Sequence, residues 1–340
     1  MSEEPCNDLA GAREVGKDAG GSHLERMLSV QQRRHVSERY PYPIARWVKL
    51  LSTPEYARPS RDRLDRTHDA AEGVARFLAA ILIGECRTVL EQHASSSIPG
   101  PLKRVPAAMQ SPTFGQWVSV ARELAAWLHT TGATPTISPL LGFFLLAGGR
   151  AAPGILALDR LKEGRNKLEH FKNVPETPDE IEAACDDAIR DLDEVLTELA
   201  WMERVSLMQM CEIRVQKRRR YPPRFEHLLS QLSGPVPDGE AATCDLPEYR
   251  ESEAVTVQFD GGDGYVNLEP LYVFEKNAGS APDLFFLNGV SNGALEYVGC
   301  KVGKKFLTSD VRCRRREELR DELQYLLLLF SGKAYAETAS

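Results

Sequence analysis

The sequence predicts an α+β chain: an N-terminal all-α helical bundle followed by a small antiparallel β module and a C-terminal helix. Two observations point there. From about Tyr40 to Leu232 apolar residues recur three or four positions apart, with capping and stop residues between the runs. From about Ala254 the period changes to two, and Gly- and Asn-bearing turns separate the runs. The division expected is a disordered tail over 1–39, the helical bundle over 40–232, a linker over 233–252, and the β module with its C-terminal helix over 253–340.

The N-terminal "MSEEPCNDLAGAREVGKDAGG" has no apolar h-region, which argues against a secretion signal and for a disordered tail. After the extended, proline-bearing "YPYPIARW", Val74, Phe77, Leu78, Ile81, Leu82, Cys86 and Val89 fall at helical spacing, with Thr67 as the expected cap. A Ser- and Pro-rich loop follows. "SPTFGQWVSVARELAAWLHTTG" opens on Ser111 or Thr113 as a cap and carries Phe114, Trp117, Val118, Ala121, Leu124 and Leu128 as one stripe before Gly132 stops it.

"PLLGFFLLAGG" is cut by Arg150 and Pro153 well short of the roughly 18 apolar residues of a membrane span, so it reads as core. The best-specified helix is "TPDEIEAACDDAIRDLDEVLTELAWMERV". Thr177 caps it, Pro178 takes the first helical position, and Glu180 closes a capping box. Ile181, Cys185, Ala188, Leu192, Val195, Leu199 and Met202 then form a seam against another helix, which leaves Asp186 and Asp187 on a solvated face.

The runs "AVTVQF", "YVNLEPLYVFE", "DLFFLNGV" and "ALEYVGC" read as strands, and "GGDG" between the first two as a hairpin turn, since no Lys-Ser pair and no helix follow it. "RRREELRDELQYLLLLF" is a helix whose consecutive leucines need cover on more than one side, from the sheet, a second subunit or a further C-terminal segment.

Composition narrows the function. With 42% hydrophobic and 27% charged residues the chain is that of a soluble globular protein. A net charge of -7 leaves room for nucleic acid only at a local basic face. Seven cysteines scattered from Cys6 to Cys313 without a C-x-x-C pair exclude a disulfide framework and a zinc knuckle, and fit a reduced, cytoplasmic chain.

Two basic clusters stand out: "RVQKRRRYPPR", in which Lys217, Arg218, Arg219 and Arg220 are the candidate RNA contacts, and "RCRRR" near the C-terminus. Each also reads as a solvated linker or helix end.

The candidate catalytic residues lie in "EGRNKLEHFK". If the helix carrying Leu158, Leu161 and Leu168 continues through Phe171, Asn166 and His170 share a face four positions apart, and Arg165 reaches the same spot. An imidazole near neutral pKa can take a 2′-hydroxyl proton or protonate a leaving oxygen, and a guanidinium can hold the phosphate; such chemistry needs neither metal nor cofactor. Spacing alone does not single out this site, because Arg63 to His68, Arg87 to His93 and Arg220 to His227 have a similar one.

What distinguishes it is the asparagine directly after the arginine, the placement ahead of the capped helix, and "PTFGQWV" on the preceding helix. Together these resemble the HEPN superfamily of helical bundles, whose signature is Arg-Asn-x-x-x-His; here it reads Arg165-Asn166-Lys167-Leu168-Glu169-His170.

The resemblance covers about residues 65 to 210. It implies a HEPN-like bundle and a metal-independent endoribonuclease of a bacterial toxin or antiviral defence system, acting as a homodimer on RNA. Arg165 and His170 would be catalytic, with Asn166 orienting them. Members silenced by nucleotidylation carry a tyrosine two positions after the histidine; Lys172 stands there in this chain. The chain also looks like the N-terminal modules of bacterial multidomain signalling and defence proteins. That likeness implies a further defence or signalling protein as partner, and the alternative function of a non-catalytic dimerisation, sensor or adaptor module.

Overall fold

The computed structural model describes residues 28–92, 102, 104–110, 112–169, 174–237, 241–246, 250–262, 264–275, 282–291, 294–301, 305–307 and 315–332. Helix α1 (Val30–Arg39) starts at Ser29, whose hydroxyl accepts from the Gln32 amide while the Gln32 side chain returns to the Ser29 amide. The expected tail over 1–39 is corrected across this stretch by that Ser-x-x-Gln capping box. Helix α2 (Tyr42–Leu51) begins inside the segment expected to be extended. Pro43 is tolerated in its first turn, and Tyr42, Ile44 and Val48 are buried.

Helix α3 (Arg61–Gln92) is the central rod. The Ser60 hydroxyl accepts from the Arg63 amide at 3.1 Å, so the helix starts a turn and a half before Thr67, which is buried mid-helix with its hydroxyl on the Arg63 carbonyl. The expected cap at Thr67 is therefore wrong. Around α3 pack α2, α5 (Phe114–Thr131), α7 (Pro153–Glu169) and α8 (Pro178–Glu198), with α4 (Val105–Gln110) and α6 (Leu140–Phe144) as short bridges.

Thr177 closes the expected capping box with Glu180; Thr113, one of the two caps expected for α5, forms a box with Gln116, and the apolar stripe of α5 is buried. The α8 seam is buried from Cys185 onward, and Asp186 and Asp187 are exposed.

The helical part ends earlier than the expected 232. After a short 3-10 turn, Ala200–Arg204, come β1 (Val205–Gln216) and β2 (Arg224–Gln231), paired antiparallel. Burial of Val205 and Leu207 gives β1 its inner face, while Met208 and Met210 pack with Leu229 on the other; Met, Gln and Glu are good helix formers, which hides the change of period. The expected linker over 233–252 is corrected as well: β3 (Ala241–Leu246) lies within it and pairs with β2.

With β4 (Val255–Phe259) and β5 (Tyr265–Asn267) these strands form a five-stranded sheet in the order β3-β2-β1-β4-β5. A second sheet, β6-β7-β8-β9, comprises Tyr272–Glu275, Asp283–Ser291, Ala294–Gly299 and Lys305–Leu307. The β module is thus two antiparallel sheets.

Helix α9 (Arg316–Ser331) rests on α3 and α4, and its Tyr325 hydroxyl donates to Glu91 at 3.1 Å. Its leucines are covered in large part by helices. Ahead of it Arg315 grips the buried Glu269 through two bonds of 2.7 Å. One continuous hydrophobic core runs from Val36 to Phe330 through the helices and both sheets.

The tightest junction between helices and sheet is at Gly84 of α3. A Cβ there would meet the Val266 side chain and lie 2.8 Å from the Asn267 carbonyl oxygen of β5. Gly84→Ala is expected to destabilise the chain by about 1–3 kcal/mol through overpacking. Urea denaturation measures it, and an unchanged midpoint would contradict this packing.

Candidate functional site around Arg165

Helix α7 starts on Pro153, buries Ile155, Leu158 and Leu161, and carries Gly164, Arg165 and Asn166 toward its C-terminal end. Asn166 is exposed, with no side-chain hydrogen bond among the described residues. His170 lies outside the described residues, as does the rest of 170–173, and with it the expected i,i+4 pairing to Asn166.

Arg165 does not project away from the protein. Only 24% of its side chain is exposed, and it reaches across to α3, where it pairs with the buried Glu72 and lies 3.7 Å from Asp69. Its Nε donates to Glu169 Oε1 at 2.8 Å.

Asp69 and Glu72 belong to a polar row on α3. Arg66 binds Asp69 at 2.8 Å, and Glu72 takes Arg76 as well as Arg165. Burial alone would lower the Arg165 pKa, but Glu72, Glu169 and Asp69 outweigh it and hold the guanidinium above its ordinary value. For Arg76 burial wins over Glu72, and the pKa falls below the ordinary value. Burial also pushes Asp69 up, against Arg165 and Arg66. Arg165 is thus a fixed cation whose charge is largely matched inside the chain. To hold a phosphate it must share or leave Glu72.

Two cavities flank the Gly164-Arg165 turn. The larger, 590 Å³, lies among α3, α7 and α8, lined by His68, Gly164, Lys167 and Leu168 and reaching Val174. The smaller, 290 Å³, lies between α2, α3 and the second sheet and is lined by Arg165 itself.

The His68 ring packs on the backbone of α7; a Cβ at Gly164 would sit 3.2 Å from its Nε2, so the glycine permits the close approach. The Arg63 to His68 spacing counted as a chance match in the sequence, yet the fold sets His68 beside the turn that carries Arg165. The overlooked signal was His68, Glu72 and Arg76 at intervals of four, one polar line running from the charged start of α3 into its apolar stretch.

Burial, and then the charge of Arg165, hold the His68 imidazole at about 4, so it is neutral at neutral pH. The unfolded chain takes up this proton near pH 6.5 and the folded chain only near 4. In that window the unfolded state binds more protons, and stability falls as pH falls. Between about pH 7 and pH 4 the wild type is expected to lose about 3 kcal/mol more than His68→Phe. Denaturant titrations at a series of pH values measure the difference, and parallel losses would show that His68 is not the group responsible.

Lys217, Arg218, Arg219 and Arg220 occupy the loop that joins β1 to β2. Residues 214–224 are all exposed, with Tyr221 at 71%. Among the described residues none of the four forms an ion pair, and no hydrogen bond links them to Arg165, whereas Arg214 is held by Glu212 at 3.0 Å. In the second basic cluster Arg315 is bound to Glu269 and Glu318, and 312–314 lie outside the described residues.

Among the described residues no group of three or more His, Cys, Asp or Glu side chains is placed to hold a metal ion, and no helix is long and apolar enough to cross a membrane. The chain matches no protein-family model, no curated protein and no solved structure with which it was compared.

Proposed function

We propose that the chain is a HEPN-type metal-independent endoribonuclease of a bacterial toxin or antiviral defence system, acting as a homodimer. The observation that supports it most is the Arg165-Asn166 pair on the last turns of α7, directly ahead of His170 and of the Thr177-capped α8. The exposed, unpaired cations of the β1–β2 loop add a surface for the RNA backbone.

In this reading His170 accepts the proton of the 2′-hydroxyl and O2′ attacks phosphorus. The 5′ oxygen leaves with a proton, and Arg165 neutralises the charge on the non-bridging oxygens. Acid and base work on two oxygens is better served by two imidazoles, which a two-fold pairing of identical faces supplies.

The test is incubation of the purified chain with single-stranded RNA in excess EDTA. Discrete cleavage is expected from a species of twice the 37.9 kDa chain mass by light scattering. Intact RNA under every condition, or a monomer at micromolar concentration, would count against it.

A second reading has its own observation. Because Arg165 is matched internally by Glu72, Asp69 and Glu169, it also suits a clamp of α7 onto α3 in a non-catalytic dimerisation, sensor or adaptor module.

A further inference from the structure

The 290 Å³ cavity between α2, α3 and the second sheet has in its wall a largely buried guanidinium, Arg76, that is not fully partnered among the described residues. Its lining holds three guanidinium groups, Arg66, Arg76 and Arg165, with the carboxylates Asp69 and Glu72; Arg66 also pairs with Asp62 and Arg165 with Glu169, which leaves Arg76 as the guanidinium whose single ion-pair partner among the described residues, Glu72, is shared. The remaining wall is largely flat and apolar: Trp47 from α2, and Tyr272 and Phe286 from the second sheet. The Arg76 guanidinium stacks on the Phe286 ring, 4.1 Å from its centroid, and its Nε is buried without an acceptor among the described residues. Glu72 is left to serve Arg76 and Arg165 together.

We infer that this cavity binds a small flat monoanion, a carboxylate on an aromatic body, and that the anion competes with Glu72 for Arg76 and Arg165. A carboxylate supplies Arg76 with the acceptor its Nε lacks and accepts the fork of a guanidinium. The ring lies among the aromatic side chains, where its apolar surface leaves water. The volume falls at the low end for ligand cavities, which limits the body to one or two rings. The burial that keeps Arg76 below its ordinary pKa despite Glu72 agrees with a cation short of negative charge. This binding does not depend on whether the chain cuts RNA.

Isothermal titration of the full chain with indole-3-carboxylate, indole-3-carboxamide and orthophosphate tests it. Saturable binding of the carboxylate is expected, with the carboxamide and orthophosphate each at least about tenfold weaker. Glu72→Gln removes the competing charge and is expected to tighten carboxylate binding by about threefold or more, whereas a merely structural Glu72 would weaken it or leave it unchanged. Arg76→Gln is expected to weaken binding by at least about tenfold. Because that variant risks the fold, Val298→Phe, which fills the cavity from β8 without touching a charge, is expected to abolish binding in a chain whose melting curve stays cooperative. No saturable heat with the carboxylate, equal binding of the carboxamide or of orthophosphate, or unchanged affinity in Glu72→Gln or Val298→Phe would each overturn the proposal.

Discussion

Arg165→Ala is expected to lower RNA cleavage by about a hundredfold or more, the scale for removing one donor that stabilises charge in a transition state. The chain should stay folded. Glu72 loses one of two cationic partners and keeps Arg76, and Asp69 keeps Arg66, so neither carboxylate is left alone in the interior. The stability cost is accordingly about 1–3 kcal/mol, below that of a fully orphaned buried charge.

His170→Ala is expected to lose as much activity. Arg165→Lys, which keeps the charge but not the fork, should retain a small fraction. Single-turnover cleavage read beside urea denaturation separates the two readings of Arg165. Full activity in Arg165→Ala, with only stability reduced, would leave it as a clamp.

The second large effect concerns the β1–β2 loop. Replacing Lys217, Arg218, Arg219 and Arg220 together by glutamine is expected to weaken single-stranded RNA binding by at least about tenfold and to lower the slope of log affinity against log salt by about 3, since each lost phosphate contact releases fewer counterions. Stability should change little, because none of the four has an ion pair among the described residues. Fluorescence anisotropy over a range of salt concentrations measures both quantities. An unchanged slope would make the loop an ordinary solvated turn.

The parts of the fold that could be read ahead were those with local causes. Thr113 and Thr177 announce α5 and α8 because a cap makes its hydrogen bond within four residues, and the seam from Cys185 to Val195 follows helical period, whereas Met202 falls in the 3-10 turn after α8 ends at Glu198. The strands from Val255 onward carry β-branched and aromatic residues in alternation.

Elsewhere tertiary context decided. Met208, Gln209 and Met210 suit a helix, and become a strand because β4 and β2 hydrogen-bond on either side. The same holds at the candidate site. The Arg165-Asn166 pair is visible in the sequence, but whether its arginine faces solvent or a carboxylate depends on which residues of α3 lie opposite, about 90 positions away in the chain. His68 was passed over for that reason: only the crossing of α3 and α7 gives it a neighbour in Gly164.

The chemistry assigned to Arg165 and His170 is tested most directly by the mass of the two ends made at a cut, with the reaction run in EDTA. Attack by the neighbouring 2′-hydroxyl leaves a 2′,3′-cyclic phosphate on the upstream fragment and a 5′-hydroxyl on the downstream one, and a single 2′-deoxy nucleotide before the cut should stop the reaction. A 3′-hydroxyl with a 5′-phosphate, or undiminished cutting at the 2′-deoxy position, would contradict it.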